Sequence, residues 1–201
     1  MKKIFISGLI CFLLLSLIGC SSSTKTPEEV AKNYVKGLAE QNLDEMDKYS
    51  IVEYDKILKA MIEEIMLNNS IPEEDIYKIA LGNEEVDKIP TNYEEYKKVY
   101  VEVFKKKLEK EYGENYSVNT TIISSTDIAE DDKSELLKEA SDYYDKYNIV
   151  ISDIINFSEI EEIKEMQCKA YIKGTKETSE DFSIYVVKIK TEWKVLNIGT
   201  K

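Results

Sequence analysis

The chain has 201 residues, a formal net charge of −12 and no histidine. Nucleic-acid affinity depends on clustered lysine and arginine that neutralise phosphates, so this acidic balance predicts no nucleic-acid partner. It also argues against a folded body that lies flat on an anionic membrane. The length of residues 26–201 suits one domain that is large enough to bury a core.

The first predicted element is an N-terminal export signal. Lys2 and Lys3 precede an apolar stretch over residues 4–18, roughly 15 residues where a membrane-spanning helix needs about 20. Residues 17–20, Leu-Ile-Gly-Cys, then resemble the cleavage box of bacterial lipoproteins. The resemblance implies that Cys20 is diacylglycerylated on sulfur, acylated as with palmitate, and becomes the mature N-terminus. An ordinary secretory signal or an uncleaved anchor are the alternatives.

Three segments follow from this interpretation. Residues 1–19 are the lipoprotein signal peptide, residues 20–25 are a lipidated tether, and residues 26–201 form a single α+β domain. The tether is small and polar, with Ser-Ser-Ser-Thr-Lys after the cysteine, so it has no apolar surface to bury. We therefore expect a protein anchored by lipid at the extracytoplasmic face of the cell membrane.

Helices are predicted in the first half of the domain. Thr26 and Glu29 have the spacing of a capping box, and Tyr34 and Leu38 follow on one helical face. Apolar spacings of three and four predict further helices over residues 43–49, 54–66, 72–81, 92–113 and 131–147.

Strands are predicted in the second half. Alternation and β-branched content predict strands over residues 116–124, 148–157, 163–173, 182–190 and 193–198. Residues 174–177 are turn-like, and the last four strands are expected to form an antiparallel meander. The turn at residues 190–192 lacks the Asn-Gly or Asp-Gly pair that tight hairpins prefer.

Cys168 is predicted to be an unreactive buried thiol. Cys11 lies in the leader and Cys20 carries the proposed lipid, so Cys168 has no partner for an intrachain disulfide. It alternates with apolar residues on one strand face, and no histidine is present to lower the pKa of its thiol.

Three segments carry a resemblance to a known family. Residues 26–31 match its opening helix, residues 41–46 the break before a second helix, and residues 186–195 a final hairpin. In this layout the chain resembles nuclear-transport-factor-2-like domains, versions of which occur in lipoproteins of Gram-positive bacteria without a known function. The resemblance implies a strongly curved antiparallel sheet wrapped around the N-terminal helix, forming a cone that opens at one end.

Catalytic and metal-binding patterns are weak in this sequence. Enzymes of the superfamily place His, Asp or Tyr in the pocket as acid and base, and this chain has no histidine. Asp153 has apolar neighbours in a predicted strand, and we expect it to face solvent. The acidic residues 127–132 lack the spacing and central glycine of a calcium loop. We therefore predict no catalytic residue, no cofactor and no metal site.

Two classes of function are left. The favoured hypothesis is a non-enzymatic lipoprotein whose cone binds a small apolar ligand, a peptide or an envelope protein in a pocket between helix and sheet. The candidate lining residues are Tyr34, Leu38, Cys168, Ile172 and Trp193. The alternative is an extracytoplasmic enzyme of the isomerase or hydrolase type that uses carboxylate and tyrosine side chains in the same pocket.

Overall fold

A computed structural model describes residues 25–69, 71–81, 86 and 88–197, without the side chains of residues 68, 69, 73 and 74. The fold is α+β, as predicted: helices occupy the N-terminal half, and the C-terminal half forms a four-stranded antiparallel sheet. The predicted signal peptide and nearly all of the tether lie outside the described residues. Among the helices that the structure describes, none is long and apolar enough to cross a membrane.

Five of the described helices precede the first strand, and the sixth lies between the first two strands. The helices are α1 (Pro27–Glu40), α2 (Leu43–Tyr49), α3 (Tyr54–Asn69), α4 (Glu73–Ala80), α5 (Tyr93–Tyr112) and α6 (Glu130–Asp145). The strands are β1 (Ser117–Asp127), β2 (Ile160–Lys173), β3 (Glu177–Ile189) and β4 (Glu192–Leu196). The predicted helices are confirmed within a few residues at their ends. Residue 198, the predicted end of the last strand, is outside the described range.

Polar caps set the helix ends. The Glu29 backbone N–H donates to Thr26 Oγ1 at 3.2 Å, and the Thr26 N–H donates to Glu29 Oε2 at 2.9 Å, which confirms the predicted capping box. The side chains of Asn42 and Asn92 accept from the first turns of α2 and α5 in the same way. Gly113, with φ of 89°, ends α5 in a backbone conformation that favours glycine.

The sheet has the strand order β1-β2-β3-β4, with every neighbouring pair antiparallel. A tight turn joins β3 to β4, and Lys190 in that turn has φ of 56°. The last strand is short, so it pairs with β3 only between Tyr185 and Ile189. Among the described residues, no strand lies on that side of β3 beside residues 177–184.

The predicted strand over residues 148–157 is wrong. The segment instead contains two short 3₁₀ turns, Ile151–Asp153 and Phe157–Glu159. Its buried residues, Ile151 and Ile155, lie on either side of an exposed Asp153, whereas a strand would place all three side chains on the same face. The β-branched composition was the misleading signal, because the side chains fill the space under α6 without joining the sheet.

Helices cover both faces of the sheet. On one face, α1 packs against all four strands. The buried sheet residues of that face are Met166, Cys168, Ala170, Ile184, Val186 and Val195. On the other face, α6 packs against Ile163, Val187 and Leu196 through Leu136, Ala140 and Tyr144. A third cluster joins α3, α4 and α5 and includes Ile62, Ile76, Tyr77, Tyr96 and Val103.

Candidate functional site

A cavity of about 690 Å³ lies at the edge of β3 beyond the end of β4. Its walls come from α1, α3, α6, β2 and β3, and from the residues at the end of β4. The lining residues are Tyr34, Leu38, Tyr54, Tyr143, Glu165, Gln167, residues 180–185, Leu196 and Asn197.

The strand lengths explain why the cavity exists. β4 ends at Leu196 while β3 runs on past its end, so no strand among the described residues fills the space beside the first half of β3. Tyr34 and Leu38 are four residues apart on α1, so they present neighbouring side chains to this space. The cavity therefore follows the sheet edge and extends over both faces of the sheet.

Tyrosine hydroxyl groups dominate the helical wall. The Tyr34 hydroxyl donates to Asn197 Oδ1 at 2.7 Å. Burial raises the pKa of Tyr34 and of Tyr54, and it raises the pKa of Tyr143 to about 12. These hydroxyls stay protonated at neutral pH, so they can donate hydrogen bonds but cannot act as general bases.

One polar group in the cavity wall has no partner. The side-chain Nδ2 of Asn197 is buried, and among the described residues nothing accepts a hydrogen bond from it. Leaving a buried donor unpaired costs about 1–3 kcal/mol, so such groups are normally satisfied by protein, water or ligand. This unpaired donor is buried within the wall itself.

Glu165 is the half-buried carboxylate of the site. Gln167 Nε2 and Ser183 Oγ each donate to Glu165 Oε1 at 2.9 Å. Tyr185 lies directly opposite Glu165 in the register of β2 and β3. These hydrogen bonds hold the carboxylate in place at the cavity wall.

The cavity wall has a negative charge balance. Besides Glu165, the carboxylates of Glu180 and Asp181 lie in the wall, and its described residues include neither lysine nor arginine. Lys169 reaches one of them from outside, with Nζ 3.1 Å from Asp181 Oδ1. The remaining charge favours a cationic group in the cavity, where tyrosine rings add cation–π attraction.

The predicted lining residues separate into two groups. Tyr34 and Leu38 lie in the cavity wall, whereas Cys168, Ile172 and Trp193 do not. Cys168 is fully buried beneath α1, so helix packing leaves no space beside it. Ile172 lies near the C-terminal end of β2, opposite Val118 in β1. Trp193 is in β4 on the α1 side of the sheet, where it packs against the first core cluster.

Several residues of the site were not predicted. They are Tyr54, Tyr143, Glu165, Gln167, Ser183 and Asn197. Tyr54 and Tyr143 had the helical spacing of core residues, and both indeed pack at the edge of a core cluster. They line the cavity because β4 ends at Leu196 and does not cover them. Asp153, the carboxylate considered at the sequence level, is exposed in a 3₁₀ turn outside this cavity.

A second, shallower groove of about 540 Å³ lies by the turn between β3 and β4. Lys190 and Glu159 form an ion pair across it, with a distance of 3.1 Å between Nζ and Oε2. The unpartnered buried polar atoms of the described residues are Thr120 Oγ1, Tyr144 OH and Asn197 Nδ2, and none belongs to this groove. The cavity beside β3 is therefore the better candidate site.

Neither a metal site among the described residues nor a known relative helps to assign a function to the cavity. Within the described part of the chain, no group of three or more metal-ligating side chains could hold an ion. Comparison with protein-family models, curated proteins and solved structures gave no match. The α+β fold and the cavity are therefore the observations from which a function is inferred.

The Cys168 thiol is expected to resist modification in the folded protein. The side chain is 0% exposed, and burial raises the pKa of its thiol to about 11. A thiol reagent such as 5,5′-dithiobis(2-nitrobenzoate), added to residues 20–201 with Cys20→Ser so that Cys168 is the one thiol, should react only after denaturant unfolds the chain. Rapid reaction in native buffer would contradict the buried position of Cys168.

Alkaline pH is expected to destabilise the protein through its buried tyrosines. An unfolded tyrosine has a pKa of about 10, while burial raises the pKa of Tyr143 in the folded state to about 12. Between these values the unfolded chain loses the proton and the folded chain keeps it, so stability is full below pH 10 and falls as the pH rises towards 12. Urea unfolding at pH 8, 10 and 11 measures this fall, and Tyr143→Phe should make it shallower.

Proposed function

We propose that the protein is a non-enzymatic binding protein that takes its ligand in the cavity beside β3. The observation that carries the proposal is an open space of about 690 Å³ with tyrosine side chains and three carboxylates in its wall. Concave sites with aromatic walls and a few fixed polar groups are typical of ligand binding. A small apolar ligand, a peptide and an envelope protein are the ligand classes compatible with the sequence.

Membrane attachment belongs to the same proposal. Residues 17–20 have the lipoprotein box, and the domain begins a few residues after Cys20 with the cap of α1. Acyl chains on Cys20 hold the domain at the extracytoplasmic face of the cell membrane, and the acidic surface keeps its body away from anionic lipid. The cavity is then presented to molecules outside the cell membrane.

The family assignment is also part of the proposal. A nuclear-transport-factor-2-like domain wraps an antiparallel sheet around its first helix. Support comes from α1, which packs against all four strands, and from the meander of β2, β3 and β4. In such a cone, the cavity beside β3 corresponds to an opening between the helix and the sheet.

One observation favours the enzyme alternative. Glu165 and Tyr185 lie opposite each other in the register, which places a carboxylate beside a tyrosine at the cavity. Against it, Glu165 accepts two hydrogen bonds, and burial keeps the hydroxyls of Tyr34 and Tyr143 protonated. These two tyrosine hydroxyls are therefore not poised to exchange a proton near neutral pH. We favour binding without chemistry.

Native mass spectrometry of the mature protein from its own host tests the proposal. A retained molecule is expected on the wild type, and Ser183→Trp should remove it because the indole would fill the cavity. Ser125→Trp on the exposed far edge of the sheet, in β1, is the matched control and should retain the molecule. Equal retention by both variants, or no retained molecule in any preparation, would contradict a ligand site at this cavity.

Glu165→Gln separates binding from catalysis in the same measurement. The amide keeps the shape of the side chain but cannot serve as a base. A binding protein should hold the same molecule as the wild type, at lower occupancy for a cationic molecule because the wall loses one negative charge. An enzyme that uses Glu165 should instead accumulate a different species, its unreacted substrate, and that result would favour the alternative.

A further inference from the structure

We propose that the open edge of β3 binds an extended peptide as an added strand, and that the side chains of this peptide alternate between apolar and cationic groups. The inference rests on the proposed function, since it names the ligand class of the same cavity. It is argued from the direction of backbone groups, the two sides of the cavity and their charge.

The backbone groups of β3 that point outward can be identified from the register. The Ile51 N–H donates to the Val195 carbonyl at 3.0 Å, so the backbone groups of Val195 point away from β3. Because Val195 lies opposite Val186, the groups of Val186 point towards β2. Alternation along β3 then directs the groups of residues 179, 181 and 183 away from β2. A second hydrogen bond gives the same directions. The Ile128 N–H donates to the Ile163 carbonyl, so the backbone groups of Ile163 point towards β1. Because Ile163 lies opposite Val187, the backbone groups of Val187 point away from β2, like those of the other odd-numbered residues of β3.

The outward groups have no strand beside them. β4 pairs only from residue 185 onward, and no backbone hydrogen bond within residues 25–197, as far as these are described, reaches residues 179–183 from that side. Three N–H groups and three carbonyls are thus presented over about 17 Å, the length of a five-residue strand. An unpaired strand edge of this kind is a template for β-strand addition.

The surroundings of an added strand differ on its two sides. On the α1 side, the edge is flanked by Tyr34, Leu38 and Phe182 of the first core cluster and its margin, and by the exposed carboxylate of Glu180 farther along the strand. On the other side, it is flanked by Glu165 and Asp181, because residues of odd number face that way in the register. Side chains alternate across a strand, so one set would contact the apolar side and the next set the acidic side.

Charge selects the ligand and argues against a second copy of this chain. Antiparallel pairing of two β3 edges would bring Glu180 and Asp181 close to the same carboxylates of the other copy, and like charges opposite each other are destabilising. A formal net charge of −12 adds long-range repulsion between copies. The same charges attract a peptide with cationic side chains.

The test uses a synthetic acetylated hexapeptide of alternating valine and lysine, titrated into the ¹⁵N-labelled mature chain with Cys20→Ser. Amide signals of residues 179, 181 and 183 should shift. Ser183→Pro removes one outward N–H without disturbing the pairing of β3 with β2, and it should weaken binding about tenfold or more. Ser125→Pro removes an N–H on the opposite sheet edge and should leave the affinity unchanged, because residue 125 lies opposite Met166, whose backbone groups face β3.

The outcomes separate this inference from the proposed function. Equal affinity for a glutamate-for-lysine peptide, or equal binding to the Ser183→Pro variant, would overturn strand addition. Peptide binding that appears only after deletion of residues 198–201 would make the chain's own segment the occupant and would also overturn it. If the hexapeptide fails while native mass spectrometry finds a molecule in the cavity, the binding function stands and the peptide class is wrong.

Discussion

Gly174→Ala is expected to destabilise the protein by about 3 kcal/mol or more, the upper end of the cost of overpacking. A Cβ at residue 174 would lie 1.8 Å from the Tyr112 carbonyl oxygen, a backbone atom at the end of α5. The same carbonyl accepts from the Thr175 N–H at 2.6 Å, so it cannot move away without losing that bond. The midpoint of urea unfolding, followed by circular dichroism, measures the change.

Gly37→Ala is the matched control for this prediction. Gly37 is buried, whereas Gly174 is exposed, and a Cβ at residue 37 would meet Met46 Cγ at 3.0 Å, in a flexible side chain, and the Met46 backbone nitrogen at 3.2 Å. Replacement of glycine by alanine inside a helix gains up to about 1 kcal/mol, which opposes the cost of moving Met46. The control should remain within about 1 kcal/mol of the wild type. Similar losses for both variants would mean that α5 does not contact the β2–β3 turn so closely.

Cys20→Ser is expected to transfer the protein from the membrane fraction to the soluble fraction. The serine hydroxyl cannot take the thioether-linked lipid, so the variant lacks the acyl chains that hold the domain at the bilayer. Cell fractionation with immunoblotting measures the distribution, and radiolabelled palmitate should enter the wild type but not the variant.

The leader supplies a matched control for lipidation. Cys11→Ser changes the same residue type nine positions earlier, inside the segment that processing removes. This variant should incorporate palmitate and stay with the membrane. Membrane retention of Cys20→Ser would contradict the lipid anchor, as would loss of palmitate from both variants.

The helices could be predicted from the sequence because their signals are local. The capping residues Thr26, Asn42 and Asn92 lie within three residues of the groups that they bind. Periodic apolar residues then identified the buried faces. The prediction from local pattern was wrong for residues 148–157. Their β-branched side chains fill a core from 3₁₀ turns, and composition alone does not show whether a segment pairs with a strand.

The start of β3 was missed for a physical reason that also concerns the site. Residues 177–181 are Glu-Thr-Ser-Glu-Asp and are all exposed, so they show no alternation of apolar and polar side chains. They are a strand only because β2 pairs with them. The sequence therefore predicted a strand from residue 182, and it could not reveal the polar segment that forms the open edge.

The candidate site is formed by residues that are far apart in the sequence, so no local sequence pattern predicts it. Tyr34 and Leu38 were predicted because both lie on one face of α1. Tyr143 and Asn197 join them only because α6 and the end of β4 meet at the same sheet edge. The length of β4 relative to β3 creates the space, and a strand's end is the least predictable part of a sequence-based assignment.

Amide hydrogen exchange along β3 tests the central claim most directly, namely that this strand has an open edge beside the cavity. The measurement needs only the ¹⁵N-labelled Cys20→Ser chain without ligand. The amides of residues 179, 181 and 183 should exchange rapidly, while those of residues 180, 182 and 184, which pair with β2, should exchange slowly. Uniform slow exchange from residue 179 to 184 would show that the edge is already covered and would contradict the account.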